Sequence, residues 1–312
     1  TVSEWLIALG AGGGLGAALY LGVSTLMAYQ TVRVARYRGD GTPAHVALPY
    51  REVTFPSHDG RVVLGGWYIP REAARGAVLV MHGGKGWRAD PSLRTLALSR
   101  ELHRRGYSVL LFDFRGCGAS GGWGTSLGYH EVQDALGAVD FLAELGFPLG
   151  RIGLLGFSMG ATVALQAAAR EPRLAGVVAD SPYADLWEVI CHETRRRTAG
   201  LAWLLHGMGW MCTLVYRTPV RRVRPLEAVG RIPFPVLYVH GEDDQVVPPH
   251  HSRRLAARGA PGSELWLVPG APHARAYTTV PGEYAERVAA YFAARMPGPA
   301  VAGVPSQGLA AH

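Results

Sequence analysis

The pentapeptide Gly156-Phe157-Ser158-Met159-Gly160 constrains this chain more than any other stretch. It follows the apolar run Arg151-Ile152-Gly153-Leu154-Leu155 and precedes the small-residue run from Ala161 to Ala169. The first run reads as a strand and the second as a helix, so the serine falls on a sharp strand-to-helix turn. A hydroxyl is a weak nucleophile unless it is held exposed beside a base and near amide donors, and such a turn supplies that placement. The turn also forces the serine into a strained backbone conformation, which small neighbours accommodate. A chance Gly-Ser turn would carry the same five letters, so the rest of the chain has to decide between them.

At 312 residues the chain can hold one large α/β domain with an appendage, or two domains. Hydrophobic residues make up 48% and charged residues 18%, enough for a sizeable core and against global disorder. The formal charge of +7 comes from arginine, with Lys85 the single lysine. A basic balance suits nucleic acid or an anionic membrane surface, but these arginines are scattered through an enzyme-like pattern, which excludes nucleic acid. Cys117, Cys191 and Cys212 are an odd number without metal-ligand spacing. They argue against a disulfide framework and a zinc site, and no metal or cofactor is expected.

From Trp5 to Gln30 no residue is charged. As a helix this run would be about 39 Å long, enough for a hydrocarbon core of about 30 Å. Gly10 to Gly16 resembles the glycine-rich turn of a dinucleotide site. Such a turn would need an acidic residue about 20 positions on, whereas here the chain turns basic at Arg33, Arg36 and Arg38. A cleaved secretory signal would start basic and have a shorter apolar core. The run is therefore read as a transmembrane anchor (1–32), followed by a linker (33–49). Arginines on its C-terminal side place that side in the cytoplasm, where unpaired cysteines also fit. Gly10, Gly12, Gly14 and Gly16, at spacings of four, could pair two such helices in a homodimer.

From residue 50 strands and helices alternate, the signature of a mostly parallel sheet with helices on both faces. Expected strands are 51–57, 62–69, 77–81, 107–112, 151–155, 174–179, 236–239 and 264–268. Expected helices are 93–105, 131–145, 161–169 and 283–295. The core would be 50–181 and 231–296. The tail 297–312, rich in Pro, Gly and Ala, is expected to be disordered. Residues 182–230 break the alternation. They hold Trp187, Trp203, Trp210, Arg195-Arg196-Arg197 and an uncharged run, 201–216, too short to span a bilayer. A helical cap explains them, with tryptophans lining an acyl pocket or packing the cap onto the body, and arginines facing solvent or lipid headgroups.

A nucleophilic serine in a parallel sheet needs a carboxylate and a histidine further along, each just past a strand. His240-Gly241-Glu242-Asp243-Asp244-Gln245-Val246-Val247-Pro248 and Pro269-Gly270-Ala271-Pro272-His273 supply both. His273 would take the serine proton and the carboxylate would orient and stabilise the imidazole. Backbone amides must receive the developing oxyanion. The amide of Met159 is one donor, and the glycine loop His82-Gly83-Gly84-Lys85-Gly86 offers the second at Gly84. His82 and His240 are read as structural. Lys85, Trp87, Trp187 and Trp203 are candidate substrate contacts.

In this order the motifs resemble the α/β-hydrolase superfamily over residues 50–295. The HGG turn at His82, the loop Asp113-Phe114-Arg115-Gly116-Cys117-Gly118-Ala119-Ser120, the elbow, HGEDDQVVP and Pro272-His273 all fall in family order. The turn Asp180-Ser181-Pro182-Tyr183 and the modest cap are similar to membrane-tethered hydrolases related to acylglycerol lipases and depalmitoylases. The resemblance implies an α/β-hydrolase fold with a helical cap and an N-terminal transmembrane helix. It places the acid on Asp244, with Asp180 the fallback. It further implies a membrane-anchored serine hydrolase of carboxylic esters or thioesters, its substrates lipid-like acyl compounds. A peptidase or amidase of the same fold and a non-catalytic membrane scaffold are the alternatives.

Overall fold

The computed structural model describes residues 2–37, 39–197 and 203–297. The tail expectation falls, from residue 298 on, outside the described residues. The chain opens with a long helix, α1 (Val2–Val32). A hairpin of β1 (Arg51–Pro56) and β2 (Val63–Ile69) follows, turned at Gly60. Then come β3 (Gly76–Met81), α2 (Thr95–Arg104), β4 (Tyr107–Phe112), α3 (Glu131–Glu144), β5 (Ile152–Phe157), α4 (Met159–Ala168) and β6 (Gly176–Asp180). Residues after β6 form α5 (Leu186–Arg197), α6 (Leu204–Leu214) and the short α7 (Pro225–Ala228). The chain returns through β7 (Leu237–Gly241), α8 (His250–Arg258), β8 (Glu264–Val268), α9 (Ala276–Thr279) and α10 (Pro281–Arg295).

The eight strands form one sheet in the order β1-β2-β4-β3-β5-β6-β7-β8, antiparallel at β1 and β2 and parallel from β4 onward. Strands buried on both faces must be apolar throughout, and β3, β4 and β5 are buried along their whole length. β1 at one edge alternates buried and exposed residues instead. One core cluster gathers Val132, Leu136, Val163 and Leu165 from α3 and α4; the other gathers Leu98, Leu102, Val288 and Phe292 from α2 and α10. This is the doubly covered sheet expected from the alternation. α8 had no expectation, because its nine residues carry three arginines and two histidines and bury only a narrow stripe ending at Leu255.

The segment expected as a linker, 33–49, is packed onto the body. Val34 and Leu48 are buried, Pro43–Val46 forms a 3₁₀ turn, and Arg33 bridges to Gly124. The far end of α1 is bound in as well. Ser24, Ala28 and Val32, on one helical face, are buried, whereas Gly13 to Leu19 are exposed. That buried face meets α6. Tyr20 stacks on Trp203 with ring centres 5.3 Å apart, and Tyr29 lies 6.3 Å from Tyr216. A Cβ on Gly207 would collide with Ser24 Oγ and lie 2.7 Å from the Tyr20 hydroxyl, so glycine is what lets the helices touch. Gly207→Leu is therefore expected to cost about 1–3 kcal/mol. The check is a lowered Tm of the detergent-solubilised chain, with Gly282→Ala, which faces open space, unchanged.

Candidate active site

Ser158 sits between the last residue of β5 and the first of α4, with φ 52° and ψ −114°. A non-glycine residue stays there only when its surroundings enforce it. Its amide donates to the Asp180 carbonyl at 2.8 Å. The flanking glycines are required because α4 presses against the strand ends. A Cβ on Gly156 would strike the Gly160 carbonyl, and one on Gly160 would lie 2.5 Å from the Met81 carbonyl oxygen and 2.6 Å from that of His82.

Three loops at the C-terminal edge of the sheet bring the sequence-predicted trio together. His273 Nε2 is 2.9 Å from Ser158 Oγ, and His273 Nδ1 is 2.7 Å from Asp244 Oδ2. Asp244 Oδ1 accepts the amides of Val246 at 2.9 Å and Val247 at 2.8 Å. His240 Nε2 faces the Val247 carbonyl at 2.7 Å and Asp244 Oδ2 at 3.1 Å, so its proton serves both; its Nδ1 accepts from Ser252 at 2.6 Å. Burial alone would raise the Asp244 pKa, but the hydrogen bonds from His240 and His273 outweigh it and hold the carboxyl well below the usual carboxylate range. The acid is thus ionised and aimed at His273. His240, read from sequence as structural, is in the structure a donor to that acid. Glu242 and Asp243 are exposed.

The glycine loop lies against the serine turn. A Cβ on Gly83 would stand 3.7 Å from Ser158 Cβ, and one on Gly84 about as far from Met159 Cβ (3.7 Å). Met159 opens α4, where amides have no partner within the helix. His82 braces the loop from behind: its Nε2 accepts the Phe114 amide at 3.1 Å and its Nδ1 faces the Gly83 carbonyl at 2.6 Å. Burial lowers its pKa, which keeps the ring neutral.

The four candidate substrate contacts have other partners. Lys85 Nζ donates to the Gln30 carbonyl at 2.7 Å, near the end of α1. Trp87 is buried, edge-on to Trp67 and Tyr37. Trp187 is half-buried under the Arg221 guanidinium, 4.0 Å above its ring. Trp203 stacks on α1, as described above. Aromatic residues in an insertion carry no sign of which face they pack.

Glu131, unread in the sequence, organises the loop opposite the glycine loop. The buried carboxylate accepts the amides of Ser126 at 2.7 Å and Gly128 at 2.9 Å, the Thr125 hydroxyl at 2.7 Å and the Ser126 hydroxyl. This holds Leu127 at φ 51°, with Cδ2 3.5 Å from a Cβ placed on Gly84. An acidic residue opening a helix behind a Ser/Gly loop was the available signal. Asp113 does the same for its own loop, accepting the amides of Arg88 and Ala119 at 2.8 Å each. The three cysteines are free; Cys117 is buried, its thiol pushed up to about 12. Outside the site, Glu188, His250 and His251 cluster, but Glu188 is clasped by Arg254.

Asp180, the fallback acid, is fully buried and bonded to Ser181 Oγ at 3.1 Å. Ser181 in turn accepts the Ala274 amide at 3.1 Å, next to His273. Burial pushes the Asp180 pKa up to about 6 from 3.8. Between those values the folded state keeps a proton that the unfolded chain has lost. The group's stability contribution is therefore complete below about pH 4 and lost as pH rises through 6, up to about 3 kcal/mol. Asp180→Asn is expected to gain stability relative to wild type between pH 4 and 7, measured by urea unfolding. A constant difference across that range contradicts the assignment.

A serine on a nucleophile elbow, paired with histidine and acid loops of an eight-stranded α/β sheet, defines an α/β-hydrolase superfamily serine hydrolase. Residues 59–214, half of the chain, match the X-Pro dipeptidyl-peptidase (S15) family, and the chain belongs to it. It is 33% identical over 231 residues to the uncharacterized protein Rv2307c of Mycobacterium tuberculosis, covering 72% of each chain. To the alpha/beta hydrolase domain-containing protein WAV2 of Arabidopsis thaliana it is 26% identical over 266 residues, 79% of this chain and 81% of that one. The solved Pyrococcus furiosus esterase Pf2001 superposes with a TM-score of 0.73 at 29% identity, over 85% of this chain and 98% of the esterase.

Proposed function

We propose that the protein is a membrane-anchored hydrolase of carboxylic esters or thioesters, acting on lipid-like acyl substrates. The observation that carries the reading is the continuous Ser158–His273–Asp244 hydrogen-bond chain. In this reading Ser158 Oγ attacks the acyl carbonyl while its proton passes to His273 Nε2, and Asp244 stabilises the imidazolium. The amides of Met159 and Gly84 receive the oxyanion. His273 then returns the proton to the leaving alcohol or thiol, and water releases the acyl group by the same steps in reverse.

The likeness to an esterase favours esters over amides. The carboxylates of Asp113, after β4, and Glu131, at the start of α3, are committed to backbone and hydroxyl donors, which leaves them unavailable to a peptide's terminal ammonium. The S15 match supports a second reading, cleavage of a peptide bond after proline. Turnover of p-nitrophenyl acyl esters against aminoacyl-prolyl anilides separates the two. The ester reading requires the esters to be hydrolysed far faster, and preferential hydrolysis of the anilides overturns it.

α1 is long and apolar enough to cross a membrane, and the Lys85–Gln30 contact ties its far end to the glycine loop. Anchored by α1, the site would face acyl groups at the bilayer. Arg33 and Arg36 just beyond the helix favour a cytoplasmic catalytic domain.

A further inference from the structure

Large apolar side chains exposed on this protein gather in one place. Among the described residues, all but Tyr37 and Val63 lie on α1, on or next to α6, or at Trp123. On α6 the exposed face is Trp203, His206, Trp210 and Thr213 with Leu214, a single stripe at helical spacing that continues into Val215. The opposite face, Leu204, Leu205, Met208 and Cys212, is buried. A helix apolar on both faces is a core helix or a membrane one, and here only one face meets protein. Trp123 extends the patch through its ring contact with Tyr216, 5.7 Å away.

The position of α6 along α1 gives the patch a level. Trp203 stands at Tyr20 and Tyr216 at Tyr29, whereas Gly13 to Leu19 stand clear of the body. Residues 2–19 measure about 27 Å as a helix, close to the hydrocarbon thickness. With that part of α1 in the hydrocarbon, Tyr20 and Trp203 fall at its edge, where amphipathic aromatic rings concentrate, and Tyr29 and Tyr216, nine residues or about 13 Å further along α1, mark the outer, headgroup side of the boundary layer. Exposed arginines surround this belt: Arg33 and Arg36 after α1, Arg217, Arg221 and Arg222 after α6, and Arg195 and Arg196 before it. Cations at that depth meet lipid phosphates.

We infer that the outer face of α6, with Trp123, docks into the headgroup–acyl boundary of a phospholipid bilayer as a second membrane contact beside α1. The inference rests on the proposed anchoring by α1. With α1 already packed on the body, a docked α6 fixes the tilt of the whole domain against the membrane. α6 runs beside α1 and so crosses the boundary layer from its Trp203 end, at the acyl chains, to its Val215 end, at the headgroups.

The test uses the full chain with the half-exposed Cys191 replaced (Cys191→Ser) and one new cysteine carrying the environment-sensitive fluorophore NBD. The chain is reconstituted in phosphatidylcholine–phosphatidylglycerol vesicles with or without brominated acyl chains. Trp210→Cys reports on α6, Leu15→Cys on α1, and Glu144→Cys, at the far end of α3, on water. The expected result is a blue-shifted emission at 210 that brominated lipid quenches, though less than at 15, and that iodide in the buffer quenches little. If 15 responds to brominated lipid and 210 only to iodide, the anchor stands and the docking of α6 is overturned. If neither responds to lipid, both readings fall. If 210 is shielded from both quenchers, a second copy of the chain covers the patch, and the bilayer inference fails.

Discussion

Ser158→Ala is expected to lower ester turnover on the order of 10⁴- to 10⁶-fold while leaving the fold intact. The magnitude follows from the chemistry lost: no acyl-enzyme forms, and only amide donors and positioning remain to help water attack. The fold is spared because alanine places its Cβ where serine does, in the same left-handed conformation, and the Ser158 amide keeps its bond to Asp180. Turnover should fall through kcat, with unfolding by urea unchanged. Residual activity within tenfold of wild type would mean that the serine is not the nucleophile.

Asp244→Asn is expected to cost about 10⁴-fold in kcat. The two amides of Val246 and Val247 pin Oδ1 as an acceptor, so the asparagine NH₂ would have to take the Oδ2 position and point at His273 Nδ1. Nδ1 would then accept rather than donate, and the ring proton would move to Nε2, where it faces Ser158 and cannot take its proton. The same NH₂ would confront the Nε2 proton of His240, which now donates to Oδ2. Asp243→Asn, one residue away and exposed, should leave kcat unchanged. If Asp244→Asn and wild type turn over alike, while Asp180→Asn is inactive, the acid lies on β6.

What could be read from sequence was whatever local chemistry dictates. Continuous apolar runs gave the buried strands within two residues or so, since a strand covered on both faces must be apolar throughout. Ser158 and His273 stood out because each stands just past a strand beside a glycine or proline, whereas the choice of Asp244 among its acidic neighbours rested on the resemblance. What depends on distant partners was not legible. Lys85 looked like a substrate contact beside the glycine loop, and its ammonium reaches Gln30, 55 positions earlier. Trp87 and Trp203 looked alike in the sequence, although one is buried among Trp67 and Tyr37 and the other lies on α1. Glu131 gave little sign of its role, because half of its donors are backbone amides that carry no side-chain signature. The segment 33–49 read as a linker, while Val34 and Leu48 near its ends are buried against the body.

The most direct measurement is covalent. A fluorophosphonate reacts with a serine only where a base removes its proton and amides receive the oxyanion, so it reports the assembled site rather than the serine alone. The detergent-solubilised chain, incubated with the reagent and digested, should yield one phosphonylated peptide, the one containing Ser158, with no label in Ser158→Ala or in His273→Ala. An unlabelled wild-type chain, or a label that persists in Ser158→Ala, would contradict the account.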